Sequence, residues 1–373
     1  MIPKFVLLDA LRGTAILMVL LLHFSERGCG SGDTFVHARV WWALKHGYLG
    51  VQLFFVISGY CITAAVYASF QRSPSVAVFL ARRCRRIFPP YWASIVLVVA
   101  MGCATIGILD TPVGTVFPLA PWEWIANALL LQGPLQAKDA NLVYWSLSVE
   151  LQFYGLLAVC LRIGRLSCEL WLLILTATAS LLHATHALPL TGWVLNYWHE
   201  FACGIAAFYW ISGLNRWRMT PWVLAGLTAL TAWCSYAETE SLLQSDGRLV
   251  LGMRVAFSLG VMLLLVAAHP YDTKLTSLPV SRVLSAIGTI SYSLYLTHVP
   301  IGTRIFNLGE RLTGLSGIRW VGYFLASMTV TLGFGAIFYR WCERPWLHPR
   351  PPHAPFVTPV ARPESATAAI ESR

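Results

Sequence analysis

The stretch Leu7–Ser25, LLDALRGTAILMVLLLHFS, is apolar over a length that crosses a bilayer, yet it carries Asp9, Arg12 and His23. Arg12 and His23 are eleven residues apart. At about 100° per residue this is roughly 20° past three full turns, so both lie on one stripe of one helix. The rise between them is roughly 16 Å, about half the hydrocarbon thickness. Ionisable groups inside a span cost several kcal/mol facing lipid, so they turn towards the bundle interior or a wet cavity. The plain alternative is a snorkelling arginine with an interfacial histidine. Against it, Arg12 stands inside the apolar run and not at its edge.

The rest of the 373-residue chain has the same character. Only 12% of its residues are charged, where a soluble domain has about 25%. Mean hydropathy is +0.61. Ten apolar runs lie at roughly 6–24, 48–67, 91–109, 144–161, 170–187, 193–212, 221–236, 250–268, 284–302 and 319–339. The expected fold is an all-α polytopic membrane bundle of about ten transmembrane helices. The net charge of +10 is mostly arginine. It is richest between the second and third runs (Arg72, Arg82, Arg83, Arg85, Arg86), which by the positive-inside rule puts that loop and both termini in the cytoplasm. In such a chain the charge reads as topology and anionic-lipid contact. It does not suggest nucleic-acid binding, for which interleaved stacking aromatics are missing. The nine cysteines fall mostly in or beside apolar runs without a CxxC, so neither a disulfide framework nor a metal site is expected. The first run holds Asp9 and Arg12 and has no small-residue cleavage site, so it is kept as a span and not read as a signal peptide. Residues 122–132 form an apolar piece too short to span, expected as a re-entrant or interfacial helix on the outer side. Residues 347–373, rich in Pro and Ala, are expected to be a disordered cytoplasmic tail after a transmembrane domain of residues 1–346.

Further constellations carry polar chemistry in this apolar setting. In FLARRCRRIFPPYW, Phe79–Trp92, Arg83 and Arg86 share a helix face. They suit either headgroup anchoring or the docking of a phosphate-bearing ligand such as an acyl-CoA. Glu150, with Ser146, Ser148 and Gln152, lies in the fourth run and is expected in its outer half, where His23 is a natural partner. A His–Glu pair is a usual general-base arrangement. Tyr292, Tyr295 and His298 sit in the ninth run and end near the outer face. His199 and Glu200 do the same in the sixth, with no role assigned. Ser58 is polar in mid-span but lacks a G-x-S-x-G elbow, so it is not read as a hydrolase nucleophile.

Together these residues resemble the membrane-bound acyltransferase family 3, O-acyltransferases of surface glycans, lipid-linked sugars and some natural products. R-x10-H is Arg12 and His23; GVQLFFVISGY is Gly50–Tyr60; R-x-x-R-I-x-P matches Arg83, Arg86, Ile87 and Pro89. The glutamate of W-S-L-x-V-E-x-x-F-Y is Glu150, S-Y-x-x-Y-L-x-H is Ser291–His298, and E-[KR]-P is Glu343–Pro345. The resemblance implies an integral, multi-pass enzyme of the plasma (inner) membrane. It implies catalytic His23 and Glu150, with Arg12, Arg83, Arg86, Ser58, Tyr292 and His298 contacting substrates. It implies acyl-CoA, expected as acetyl-CoA, as donor; no permanently bound cofactor; and a hydroxyl of a glycan, lipid-linked sugar or glycoside as acceptor. Transfer could be direct or pass through an acyl-enzyme. Many members of that family carry a secreted esterase-like domain after the bundle, and none is expected from these residues. A proton-coupled transporter or flippase using the same ionisable residues is the alternative reading.

Overall fold

The computed structural model describes residues 5–26, 44–72, 74–109, 112–185, 187, 192–241, 246–313 and 318–347, all of whose regular elements are helical. The expected tail beyond 347 lies outside the described residues, as does Cys29. The principal helices are α1 Leu7–Ser25, α2 Leu49–Phe70, α3 Val76–Leu109, α4 Pro121–Ala128, α5 Tyr144–Ile163, α6 Arg165–Ala184, α7 Trp198–Ser212, α8 Thr220–Ser241, α9 Asp246–Ala268, α10 Pro279–Thr289, α11 Ser291–Thr313 and α12 Ile318–Phe338. Proline opens α4 and α10, where its missing N–H costs nothing. Glycine in the left-handed region ends α7 at Gly213, φ 61°.

Seven helices among the described residues are long and apolar enough to cross a membrane: α1, residues 46–70, α3, α5, α6, α9 with its extension to Thr276, and α12 with its extension to Leu347. They account for seven of the ten expected crossings. The other three runs have a different character. Run 193–212 gives only the 15 residues of α7 behind a 3-10 turn, Val194–Tyr197. Run 221–236 becomes α8, whose second half takes in Ser235, Glu238 and Glu240. Run 284–302 is not continuous: the helix stops at Thr289 and restarts at Ser291, giving α10 and α11. The outer surface of the bundle is apolar. Val96, Leu170, Leu181, Trp233, Leu263 and Ile337 are all exposed, as befits side chains whose solvent is hydrocarbon. The protein is a multi-pass membrane bundle.

Two pairs of glycines set the closest helix crossings. A Cβ on Gly13 of α1 would lie 2.0 Å from the Leu284 carbonyl oxygen of α10, and one on Gly288 would lie 1.8 Å from the Asp9 carbonyl oxygen. Gly59 of α2 and Gly204 of α7 meet in the same way, the Gly204 Cβ falling 2.0 Å from the Val56 carbonyl oxygen. Small residues let membrane helices approach backbone to backbone, where dispersion is the main attraction. The start of α1 is also tied from a distance. Asp272 accepts the Val6 and Leu7 amides at 3.0 and 2.8 Å, satisfying two of the orphan donors of the helix.

The connection between α3 and α5 enters the protein. Its α4 is the expected interfacial piece, shortened to eight residues, with Trp122 and Ile125 exposed and Asn127 buried. The Tyr91 hydroxyl and the Trp92 indole N–H donate to the Asn127 and Ala128 carbonyls. Leu130, Gln132, Ala140, Asn141 and Val143 are then buried before α5 begins. The Glu123 carboxyl is held below the usual carboxylate range by the amides of Lys138, Ala120 and Leu119. Burial instead pushes the Asp139 carboxyl up, from 3.8 to about 6.

Two tests follow from this packing. Gly288→Val should cost about 1–3 kcal/mol or more through overpacking against Asp9, whereas Gly226→Ala, with nothing within 4 Å of the new Cβ, should be tolerated. Thermal unfolding in detergent followed by size-exclusion fluorescence compares them, and equal melting would overturn the crossing. For Asp139, the raised folded pKa means that the folded state binds more protons between about pH 4 and 6. Stability should therefore fall as pH rises through that window and stay lower above it. Asp139→Asn should recover on the order of 2 kcal/mol at pH 7.5 and flatten the pH profile of melting; an unchanged profile would contradict this.

Candidate functional site

Arg12, Arg83, Arg86, Ser58, Glu150 and Tyr292 come together on one cleft of about 820 Å³ between α1, α2, α3, α5 and α11. Six of the eight expected site residues thus share one cavity. Cys61, Tyr154, Ser146, Ser291 and Tyr295 complete its polar lining.

Each wall is fixed by a recognisable local device. On α1, Arg12 pairs with Asp9 one turn earlier, Nη1 to Oδ1 at 2.8 Å, and Nη2 lies 3.5 Å from the Cys61 thiol of α2. On α3, the Arg83 guanidinium lies over the rings of Phe79 and Tyr154, at 5.6 and 5.9 Å from their centroids. Just past these arginines Pro89 and Pro90 remove two amide donors from the ladder, and the Tyr292 hydroxyl of α11 donates to the Ile87 carbonyl at 2.9 Å. On α5, Glu150 accepts from Ser58 and from Tyr154 on the same oxygen, both at 2.6 Å. Tyr295 and Ser146 share a 2.7 Å hydrogen bond beside them. Beyond α12 a π-turn, Tyr339–Glu343, brings buried Glu343 to Ser293, whose hydroxyl donates to it at 2.5 Å. Arg85 reaches the Trp346 carbonyl at 3.2 Å. Three guanidiniums therefore face a space containing one carboxylate. Such a cavity attracts anions and can bind phosphate oxygens by bidentate forks.

The expected His23–Glu150 pair is not formed. Glu150 lines the same cleft as Arg12, and Leu130, Gln132, Ala140, Asn141 and Val143, just before α5, are buried. His23, eleven residues on along α1, stands roughly 16 Å further up the helix. There its Nδ1 faces the Glu26 carboxylate at 3.6 Å and its ring lies 5.2 Å from that of His298. His298 is fully buried, and its Nδ1 lies 2.8 Å from the Tyr295 carbonyl and 3.2 Å from the Leu294 carbonyl. Carbonyls only accept, so that nitrogen carries the proton and Nε2 is left as an acceptor. The sequence offered signals for the missed residues. Tyr154 is one turn after Glu150, Cys61 one turn after Ser58, and Glu26 one turn after His23.

His199 and Glu200 belong to a different cluster. Arg254 of α9 binds Glu200 Oε1 through Nη2 at 2.5 Å and Nε at 3.1 Å, and stacks 4.5 Å from the Tyr197 ring centroid. His199 Nε2 meets the hydroxyls of Ser180 and Thr231 at 3.1 and 3.2 Å. Among the described residues no group of three or more His, Cys, Asp or Glu could hold a metal ion.

A family described as an acyltransferase domain matches residues 5–340. The chain belongs to the acyltransferase 3 family. Among its relatives is the peptidoglycan O-acetyltransferase OatA of Listeria monocytogenes, 26% identical over 79% of this chain and 49% of that protein. Another is the putative peptidoglycan O-acetyltransferase YrhL of Bacillus subtilis, 24% identical over 91% of this chain and 54% of that protein. Nodulation protein 10 of Rhizobium leguminosarum bv. viciae is 28% identical over 79% and 81%. The chain thus spans about half the length of the two peptidoglycan relatives. None of these three is named a transporter, so they lend that alternative no support. No solved structure matches. Arg12, His23, Arg83, Arg86, Glu150 and His298 all lie within the matched residues of this acyltransferase 3 chain.

The Arg254–Glu200 pair gives a test of what is scaffold and what is site. Glu200 is fully buried, so Arg254→Met should strand a charge and cost about 3–5 kcal/mol. Adding Glu200→Met should restore most of the melting temperature. A double variant no more stable than the single would show that the pair is not an isolated structural unit.

Proposed function

We propose that the chain is an integral membrane O-acyltransferase. In this reading it moves an acyl group, most simply acetyl, from a cytoplasmic acyl-CoA to a hydroxyl of a sugar-bearing acceptor at the outer half of the membrane. The observation that carries the reading is the cleft where Arg12, Arg83 and Arg86 face Glu150, in a chain whose relatives include proteins named peptidoglycan O-acetyltransferases. The arginines suit the phosphates of a CoA donor, and positive-inside counting puts their loop in the cytoplasm.

In this reading His23 is the base. Glu26 faces its Nδ1 side, and the buried Nε2 acceptor of His298 lies beside its ring. These neighbours orient the imidazole in the place expected for Glu150. His23 takes the proton of the acceptor hydroxyl, and the alkoxide oxygen attacks the thioester carbonyl. Its attack forms the new ester C–O bond, the thioester C–S bond breaks as the tetrahedral intermediate collapses, and the imidazolium returns its proton to the leaving thiolate. Glu150, bonded to Ser58 and Tyr154 beside the guanidiniums, holds the inner cleft in register for the donor. The roughly 16 Å between Arg12 and His23 is spanned either by an extended thioester arm or by relay on an acyl-enzyme.

Membranes containing the protein, given radiolabelled acetyl-CoA and a glycan acceptor, should transfer label. His23→Ala should lower transfer by at least 10²-fold with expression unchanged, and Glu150→Gln should chiefly raise the KM for acetyl-CoA. Wild-type transfer by the His23 variant would remove His23 from the chemistry. Movement of substrate across the bilayer without acyl transfer would favour the transporter.

A further inference from the structure

A second recess of about 740 Å³ adjoins the cleft at the end carrying the arginine loop. The last turn of α2 contributes Ser69, the connection after it Arg72 and Ser75, and the first turns of α3 Phe79, Arg82 and Arg83. Arg83 lines both spaces. No carboxylate lines the recess, and among the described residues neither the Arg72 nor the Arg82 guanidinium has an ion pair or a hydrogen bond. The N-terminus of α3, with Ser75 accepting the Val78 amide at 3.4 Å, opens into the same space and adds a partial positive charge. Three guanidiniums thus line a recess that holds no carboxylate. Arg83 leads inward by way of Tyr154, whose ring it covers and whose hydroxyl bonds Glu150.

We propose that this recess binds the nucleotide phosphates of the acyl donor, with Arg72 and Arg82 as phosphate ligands and Arg83 as the shared wall past which the thioester arm enters the cleft. The proposal rests on the CoA-donor reading above. A molecule bearing several phosphates at one end and a reactive acyl group at the end of a long arm would occupy both spaces at once. An anionic lipid headgroup, the other source of phosphate, would fill the recess alone.

Full-length protein in nanodiscs of zwitterionic lipid should bind acetyl-CoA more tightly than acetyl-dephospho-CoA. Arg72→Gln with Arg82→Gln should weaken acetyl-CoA binding at least tenfold and abolish that preference. Removing two arginines elsewhere, Arg162→Gln in the last turn of α5 with Arg218→Gln before α8, should change affinity less than threefold. If wild type binds acetyl-CoA and the Arg72/Arg82 variant binds it equally well, the phosphate subsite is wrong and the donor reading survives. If the control variant weakens binding as much, only diffuse charge is at work and the subsite is again wrong. If the Arg72/Arg82 variant loses retained phosphatidylglycerol by native mass spectrometry but keeps acetyl-CoA affinity, the recess is a lipid site. If wild type binds no acetyl-CoA while remaining folded, the donor reading falls and takes this proposal with it.

Discussion

A guanidinium buried among membrane helices must find negative charge, polar atoms or water, and Arg12 finds all its partners on one side of α1. Asp9 lies one turn back, Cys61 comes from α2, and the cleft containing Glu150 lies in front. That side is available only because the neighbouring side of α1 is committed to α10. The Gly13–Gly288 crossing leaves no room for side chains, so it presses backbone on backbone and sets the rotation of α1 about its axis. Once that rotation is set, the register of one helix decides that Arg12 faces the arginines of α3 and that His23, on the same stripe, faces His298.

Polar contacts then link elements far apart in sequence. Ser58 of α2 and Tyr154 of α5 converge on Glu150, Tyr292 of α11 reaches the Ile87 carbonyl of α3, and Ser293 holds Glu343 beyond α12. A hydrogen bond in low dielectric is stronger than in water, and an unmade one is more costly, so these links specify one arrangement of otherwise similar apolar helices. The distinction between site and scaffold follows from exposure. The Arg254–Glu200 pair is sealed within α7 and α9, whereas the Arg83 and Glu150 side chains line open space.

Much of this was legible in the amino-acid order. The expected stripe of α1, the grouping of Arg83 with Arg86 and the polar face of α5 all describe the cleft. Three features were not, and each has a physical reason. Apolar run 284–302 looks like one span because hydropathy does not register a helix end; Thr289 ends α10 because the chain turns at Ile290 to bring α11 across α3. The depth of Glu150 could not be read, since the count assumed that α5 starts at the membrane surface. Buried Gln132, Asn141 and Val143 show instead that part of the preceding loop packs into the bundle. The partner of His23 was misassigned for the same reason, because a depth error in α5 put a carboxylate where α11 supplies an imidazole.

That displacement changes what the chemistry asks of the fold. A base paired directly with Glu150 would place donor docking and proton abstraction in one chamber. In the proposed reading the cleft arginines and His23 are separated along α1, so an acceptor hydroxyl at the outer half need never share the arginine-lined cleft with the charged end of an acyl-CoA. The helix itself then acts as the spacer. Any insertion or deletion between Arg12 and His23 turns one of them about 100° per residue off the shared stripe, so the eleven-residue separation is a constraint of geometry, independent of which residues fill it.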